Sequence, residues 1–405
     1  MEKGRKIFLL IVVTLVTVLV ALPLMPFSDS KIMAAETKTL RIGVLVCLTG
    51  WFSTFDTLEW EEAQLARDML NERGGITIKG EKYQIELLAE DCKSTADGVV
   101  AAANKLVYDR KVKFIAGPAA FFSAAAKEVC EPEKILRAIS FATNTPGELG
   151  KDTPYTFLCH NASVEHCIVG VTAMKQVFPK VKTVDLVNAD DGAIPYLDPI
   201  FRKILQEQGI TVVGKIIGYP NEMVDFSPVA AKLSVSKTDA VFFGNGLPEH
   251  AAKTLKGIRE LGSPKPLIFM SSGLAEDVKR IAGKETSTKF IIVGPMLGAP
   301  DTPPLMAEIQ KRLLATYGKE RSIHLQIFNS IWALVKAVEA AQSLDTTVVR
   351  DKWEKLNTIE TPYGTGHMGG QKTYGIRHAL SHPEPYQILD NGEARFGKWV
   401  EVRVP

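Results

Sequence analysis

Residues 40–75 read LRIGVLVCLTGWFSTFDTLEWEEAQLARDMLNERGG. The stretch opens on an almost unbroken apolar run, 40–46, too short for a helix and closed by the turn residues Leu48-Thr49-Gly50. That pattern predicts a strand buried on both faces. From Glu59 the period changes. Ala63, Leu65, Ala66, Met69 and Leu70 recur at helical spacing, and Gly74-Gly75 supplies residues that end a helix. A buried strand, a polar turn and an amphipathic helix make half of a βαβ unit, and the chain downstream repeats it. Strands are predicted at 83–89, 114–116 and 138–141, and helices at 96–110 and 123–131. Strands separated by whole helices connect by right-handed crossovers into a parallel sheet covered on both faces.

The rhythm restarts after an apolar segment at 156–158. Helices are predicted at 164–178, 197–208 and 249–261, and strands at 183–188, 210–219, 240–244 and 267–270, which makes a second parallel sheet. After a strand at 290–293 come three helices without a strand between them, at 305–317, 325–343 and 348–356. Such helices cannot build a sheet and are expected to cover one already formed. The chain therefore returns to the first half and crosses once more before a β-like tail, 386–389 and 399–404, joined by Asn391-Gly392. The predicted fold class is α/β, two Rossmann-like lobes joined by three crossovers.

The 405 residues are 46% hydrophobic, 23% charged and 8% aromatic, an ordinary globular composition that excludes collagen-like, disordered and multi-span membrane classes. Removing the cations Lys3, Arg5, Lys6 and Lys31 and the acids Glu2 and Asp29 of residues 1–35 leaves 44 charges of each sign. Such a balance offers no electrostatic footprint for nucleic acid or an anionic membrane. Residues 1–35 read as an export signal: a basic start, the apolar run 7–22, Pro23 and Pro26, then Met33-Ala34-Ala35 before a polar start. Cleavage is expected near Ala35, with an uncleaved anchor as the other reading. The mature protein is then soluble, in the periplasm or outside the cell. Five cysteines, Cys47, Cys92, Cys130, Cys159 and Cys167, leave at least one unpaired, and none has the spacing of a structural zinc site.

Open parallel sheets bind ligands beyond the carboxyl ends of their strands. The loops there are 49–56, 119–123, 142–146, 189–194, 245–249 and 271–274. Two of them carry rings, Trp51, Phe52 and Phe55 in one and Phe121 and Phe122 in the other, which favours a pocket over core. Catalytic patterns fail. Gly364-Thr365-Gly366-His367-Met368-Gly369 fits GxGxxG but has neither the strand before it nor the helix after it that dinucleotide binding requires. His378 and His382 are flanked by Pro383 and Pro385 and read as solvated or capping histidines rather than metal ligands. Asp190-Asp191-Gly192 reads as a polar turn. No nucleophile pairs with a base, so no enzyme, cofactor or metal is expected.

These residues together resemble the leucine/isoleucine/valine-binding protein family, the type I periplasmic substrate-binding proteins of ABC importers. The resemblance rests on Leu40 to Gly50, Asn71 to Ile76, Gln84 to Asp91, Ile115-Ala-Gly-Pro118, Ile139 to Pro146, Asp225-Phe-Ser227, Gly364 and the closing 386–402. It implies a first lobe at 37–159 plus 292–363 and a second at 160–291 plus 364–405, hinged near Asn161, Gly294 and Gly364. It further implies a monomer that closes on a small molecule and hands it to a membrane permease; a sensing module of the same fold is the alternative. The ligand carboxylate would meet Ala142, Thr143, Asn144 and Ser123, with Trp51, Phe55 and Phe121 against its body. Cys92 matches one cysteine of a disulfide found in some members, whose partner position falls near Ala120, and the pairing stays open.

The second lobe departs from that pattern. Its usual tyrosine and aromatic align with Ala193 and Gly246, and the acid that holds a ligand ammonium falls at Ser271 or Ser272. A buried ammonium without its counter-charge costs several kcal/mol. The expected ligand is therefore an aromatic or aliphatic carboxylate, with a zwitterionic amino acid second unless Asp190, Asp191 or Glu249 supplies the charge.

Overall fold

The computed structural model describes residues 38–405 apart from 119, 143–146, 191, 274, 295–297 and 319–322. The export signal read at 1–35 lies outside the described residues, as do Thr143, Asn144 and Asp191 and the side chains of Phe121 and Ser272. Strand β1 (Lys38–Val46) shows why the opening run is apolar throughout. Leu40, Ile42, Val44 and Val46 enter one core and Leu45 enters another, on the opposite face of the sheet. Helix α1 (Ser53–Glu72) packs its Ala63, Ala66, Met69 and Leu70 into the first of these cores.

There follow β2 (Ile76–Ile78), β3 (Glu81–Asp91), α2 (Ala96–Asn104), β4 (Phe114–Ala116), α3 (Lys127–Cys130), β5 (Leu136–Ile139) and β6 (Thr156–Leu158). Then come α4 (Ser163–Val177), β7 (Thr183–Ala189), α5 (Ile194–Glu207), β8 (Thr211–Val212), β9 (Ile217–Tyr219), α6 (Ser227–Val235), β10 (Ala240–Phe243), α7 (Pro248–Glu260), β11 (Leu267–Ser272), α8 (Ala275–Ala282) and β12 (Phe290–Val293). The chain ends in α9 (Pro304–Tyr317), α10 (Gln326–Ala341), α11 (Thr346–Glu354), β13 (Thr358–Thr361), β14 (Gly364–Gly369), β15 (Ala379–Ser381), β16 (Tyr386–Asp390) and β17 (Glu393–Phe396).

Among the described residues the strands form two sheets, ordered β13-β14-β15-β6-β5-β4-β1-β3-β2 and β17-β16-β12-β11-β10-β7-β8, with β9 also paired to β7. Their centres are parallel: β1 runs beside β3 from Lys38↔Tyr83 to Val46↔Asp91, and β10 beside β7 from Ala240↔Val184 to Phe243↔Val187. The α/β class and the double winding are as expected. Helices α9, α10 and α11 cover the first sheet, with Ile309, Trp332 and Trp353 in the core that holds Ile42 and Val44. Helix α10 starts against two buried acids. Glu62 accepts from the backbone N–H of His324 and Leu325 at 3.2 and 2.6 Å, and Glu59 from those of Gln326 and Ile327 at 3.4 and 2.7 Å.

Several expectations need correction. The chain does not leave the first lobe at 363, because β14 and β15 pair into the first sheet and the final crossing lies at 382–385. The expected hinge residue Gly364 therefore sits in the β13–β14 hairpin, opposite Thr361. The earlier crossing falls after Val293 rather than at 291, since β12 stays paired to β11 and β16 to that point. The helix expected at 123–131 is a 3-10 turn, Ala120–Ala126, followed by the single turn α3. The strand expected at 210–219 is broken into β8 and β9 around Gly214, whose φ is +71°. Asn391-Gly392 closes the β16–β17 hairpin, and 399–404 holds only an isolated bridge between Glu384 and Val400. The last residues run back to the first sheet, where Gly370 N–H bonds the Val404 carbonyl at 2.9 Å and Lys372 N–H that of Pro405 at 2.9 Å. His378 and His382 are 1% and 0% exposed, not solvated, because β15 and the segment after it run through the interior. All five cysteines are free and buried.

Candidate functional site

The first wall of the site grows from the turn after β1. Asp91, at the end of β3, accepts from Leu48 N–H at 2.9 Å, from the Thr49 hydroxyl at 2.7 Å and from Lys93 N–H at 2.8 Å. Burial opposes ionisation of Asp91, but these donors together hold its carboxyl below the usual range. Gly50 is required here: its φ is +91°, and a Cβ would lie 2.6 Å from the Ser94 hydroxyl oxygen. Ser94 in turn accepts from Phe52 N–H at 3.1 Å and donates to the Thr49 carbonyl at 2.7 Å, which fixes where the next residues point.

Those residues are aromatic. Phe52 stacks on Phe55 with centroids 5.0 Å apart, Trp51 lies 6.0 Å from Phe122, and Phe55 meets His324 at 4.0 Å. Trp51 is 45% exposed while Phe52 and Phe122 are buried, so the cluster is anchored on its inner side and open at Trp51. Ala142 lies at the carboxyl end of β5, 1% exposed. Ser123 turns inward, donating its hydroxyl to Glu148 at 3.3 Å, and its carbonyl accepts from buried Arg137 at 2.7 Å. It belongs to the framework of the first lobe, not to its rim.

The second wall is built after β7 and β10. Asn188 accepts from Asn245 N–H at 2.8 Å, and Asn245 accepts from the Ser163 hydroxyl at 2.7 Å, tying the two loops to the start of α4. Leu247 packs against the core cluster that holds Phe52, Phe122, Phe141 and Ala142. Ala193 is fully buried at the start of α5, away from the surface. Beside Gly246 stands Tyr219, 1% exposed, with its hydroxyl 3.2 Å from the Asn245 carbonyl and 3.2 Å from His250 Nδ1. A Cβ on Gly246 would come within 2.1 Å of that hydroxyl oxygen, so the buried Tyr219 ring leaves room only for glycine there. Gly246→Ala is expected to displace Tyr219 and cost about 1–3 kcal/mol, read as a lowered thermal midpoint. Burial pushes His250 down to about 4, so it is a neutral hydrogen-bonding ring.

Among the described residues of the second wall, the acids lie at the surface. Asp190 is exposed, and Glu249 is exposed and lies 3.7 Å from Lys253. The buried acids Asp56, Glu59 and Glu62 belong to α1 in the first lobe and face backbone amides, Asp56 accepting from Cys47 N–H at 2.7 Å. An open cavity of about 1150 Å3 lined by Gln176, Pro300, Tyr363, Pro383 and Trp399 shares no residue with these loops. Neither Tyr219 nor His324 stands in a loop that follows a parallel strand; the folded chain alone places Tyr219 beneath Gly246 and His324 against Phe55.

The comparisons agree with this architecture. A model of the periplasmic binding protein family matches residues 39–383. The Leu/Ile/Val-binding protein BraC3 of Rhizobium johnstonii is 31% identical over 212 residues, 52% of this chain and 55% of that protein. A Leu/Ile/Val-binding protein homologue of Brucella melitensis is 28% identical over 214 residues, covering 52% and 55%. The chain thus spans about half the length of the curated relatives it matches. Among solved structures, the substrate-binding protein LivJ of Streptococcus pneumoniae in complex with isoleucine has a TM-score of 0.71 at 19% identity, covering 90% of this chain and all of that one. A solute-binding protein of R. palustris in complex with benzoate has a TM-score of 0.69 at 16% identity, covering 91% and 98%. At these identities the two structures show the fold alone. The matched proteins are solute-binding proteins rather than enzymes, and no helix among the described residues is long and apolar enough to cross a membrane. The chain belongs to the periplasmic binding protein family.

Proposed function

We propose that the protein is the solute receptor of an ABC importer, exported and monomeric, and that it captures a small carboxylate with an apolar or aromatic body between its two lobes. The observation that carries the reading is the contrast between the walls. The first presents Trp51 and Phe55, backed by buried Phe52 and Phe122, while the described residues of the second offer no buried carboxylate to meet an ammonium. Leaving that ammonium unpaired would forfeit several kcal/mol, a large part of the ~8 kcal/mol of micromolar binding. The loop 142–146 would hold the ligand carboxylate through its backbone N–H groups and the side chains of Thr143 and Asn144, and the rings would cover the ligand's body. A neighbour of this fold in complex with benzoate and another in complex with isoleucine mark the two ligand classes to be compared. Binding acts as a shift of population: a ligand that touches both walls favours the closed arrangement that a permease reads.

Calorimetry with benzoate and with isoleucine tests the order. Benzoate-type acids are expected to bind at least tenfold more tightly, with a change in Trp51 fluorescence. Tight isoleucine binding that Asp191→Asn abolishes would reverse it.

A further inference from the structure

Two of the passes between the sheets run side by side, 159–162 after β6 and 382–385 before β16, and they carry a fully buried polar cluster the ligand reading does not use. Its hydrogen bonds fix the proton positions. His382 Nδ1 faces the Pro383 carbonyl at 3.0 Å and must donate to it, so His382 Nε2 carries a lone pair and accepts from Asn161 N–H at 3.3 Å. His160 Nδ1 lies 3.1 Å from the same Nε2, so it is the donor of that contact. The consequence is that His160 Nε2 bears a bare lone pair, and it has no hydrogen-bond partner. Glu384 is oriented the same way: Asn161 Oδ1 accepts from His382 N–H at 3.1 Å, and Asn161 Nδ2 donates to Glu384 Oε2 at 2.9 Å. That leaves Glu384 Oε1 facing His166 Nε2 at 3.3 Å, neither making a directed hydrogen bond.

We propose that His160, His166 and Glu384 form a binding site for one divalent transition-metal ion of the zinc class. One ligand atom from each lies within 4.8 Å of the others, and all three residues are buried. Tetrahedral zinc with bonds of about 2.0–2.1 Å needs donors about 3.3 Å apart, which is the separation already present between His166 and Glu384. Two imidazoles and one carboxylate are a zinc donor set, with a fourth position left for water. The outer hydrogen bonds from His160 to His382 and from Asn161 to Glu384 are those that orient metal ligands. A plain His166–Glu384 hydrogen bond would satisfy those two groups but leave His160 Nε2 facing them unpartnered in the interior, at the usual penalty for such a group. One ion satisfies all three. His160 lies on the first pass, His166 just beyond it on α4 and Glu384 on the last, so the ion would clasp the two together.

The test uses the chelator-stripped full chain without a histidine tag, in the absence of any organic ligand, so its outcome is independent of the importer reading. Cobalt(II) is titrated and its ligand-field absorption followed, then displaced with zinc. One equivalent giving an intense four-coordinate band, with a thermal midpoint raised by zinc, is the expected result. His166→Gln and Glu384→Gln should each weaken uptake at least tenfold, while His367→Gln on β14 leaves it unchanged. Absence of the band in folded wild-type protein, or uptake unaltered in both variants, overturns the assignment; the wild-type spectrum decides even if the variants fail to fold.

Discussion

A Glu59→Ala variant is expected to lose about 3–5 kcal/mol of folding free energy, a large share of the 5–15 kcal/mol that domains possess. The reason lies at the start of α10, where the first N–H groups of a helix have no partner within it. Solvent or a capping side chain normally serves them. Here the helix start is buried, and Glu59 bonds the N–H groups of Gln326 and Ile327 while Glu62 bonds those of His324 and Leu325. Burial and the neighbouring Glu62 push the Glu59 carboxyl well above its usual range, and the two amide donors work against that shift. Truncation to Ala strands two interior donors. Glu59→Gln keeps one accepting oxygen and turns an NH2 toward the other donor, so its loss should be about half as large. Urea unfolding of the three proteins at one pH checks the ranking; an Ala variant within about 1 kcal/mol of wild type would remove the capping role.

The second large effect is a pH dependence carried by His378. Its Nδ1–H donates to the Thr156 carbonyl at 2.9 Å, its ring stacks on Phe157 at 3.8 Å, and it is 1% exposed. Burial, helped by the positive charge of Arg350 and opposed by the Thr156 bond, lowers it from 6.5 to about 4. The folded state thus binds this proton more weakly than the unfolded state. Its contribution is complete above pH 6.5 and disappears as the pH falls toward 4, with a slope of roughly 1.4 kcal/mol per pH unit and a total near 3 kcal/mol. His250 and His382, also lowered to about 4, add in the same direction. Asp56, Glu59 and Glu165, raised by burial, act in the opposite one. Comparing wild type with His378→Gln, whose amide can still donate to Thr156, isolates the single term. Unfolding free energies measured from about pH 7 to about pH 4.5 should fall less steeply in the variant; parallel curves would mean that the ring takes up its proton equally in the folded and unfolded states.

How much of this was legible beforehand depended on the range of the interactions. The apolar run 40–46 and the periodic helix after it announced a buried parallel strand and its cover, because local pattern and global burial agree there. The same holds for α4, α7 and α9, whose observed bounds fall within a residue or two of the expected ones. What failed was long-range pairing. Nothing local in Gly364–Gly369 says that it hydrogen-bonds β13 and β15, so the last crossing was placed some twenty residues early. The ring loops were visible as apolar residues where polar ones are the default, and Trp51, Phe52, Phe55 and Phe122 do gather. The buried histidines run against their sequence context: neighbouring prolines imply a loop, and loops are ordinarily wet, yet both rings lie in the interior. Only the folded chain brings His382 beneath Tyr363, with ring centroids 3.9 Å apart.

The route of the final residues changes how the halves can turn. Val402 sits in a second-sheet core and Val404 in a first-sheet core, and Trp399 Nε1 donates to the Pro300 carbonyl on the middle pass at 2.8 Å. The terminus is therefore a fourth strap laid across the joint, held by main-chain bonds at Gly370 and Lys372. If the halves turn as the proposed closure requires, this strap must flex in concert with the other three, and trimming residues 403–405 would slacken it without touching either wall.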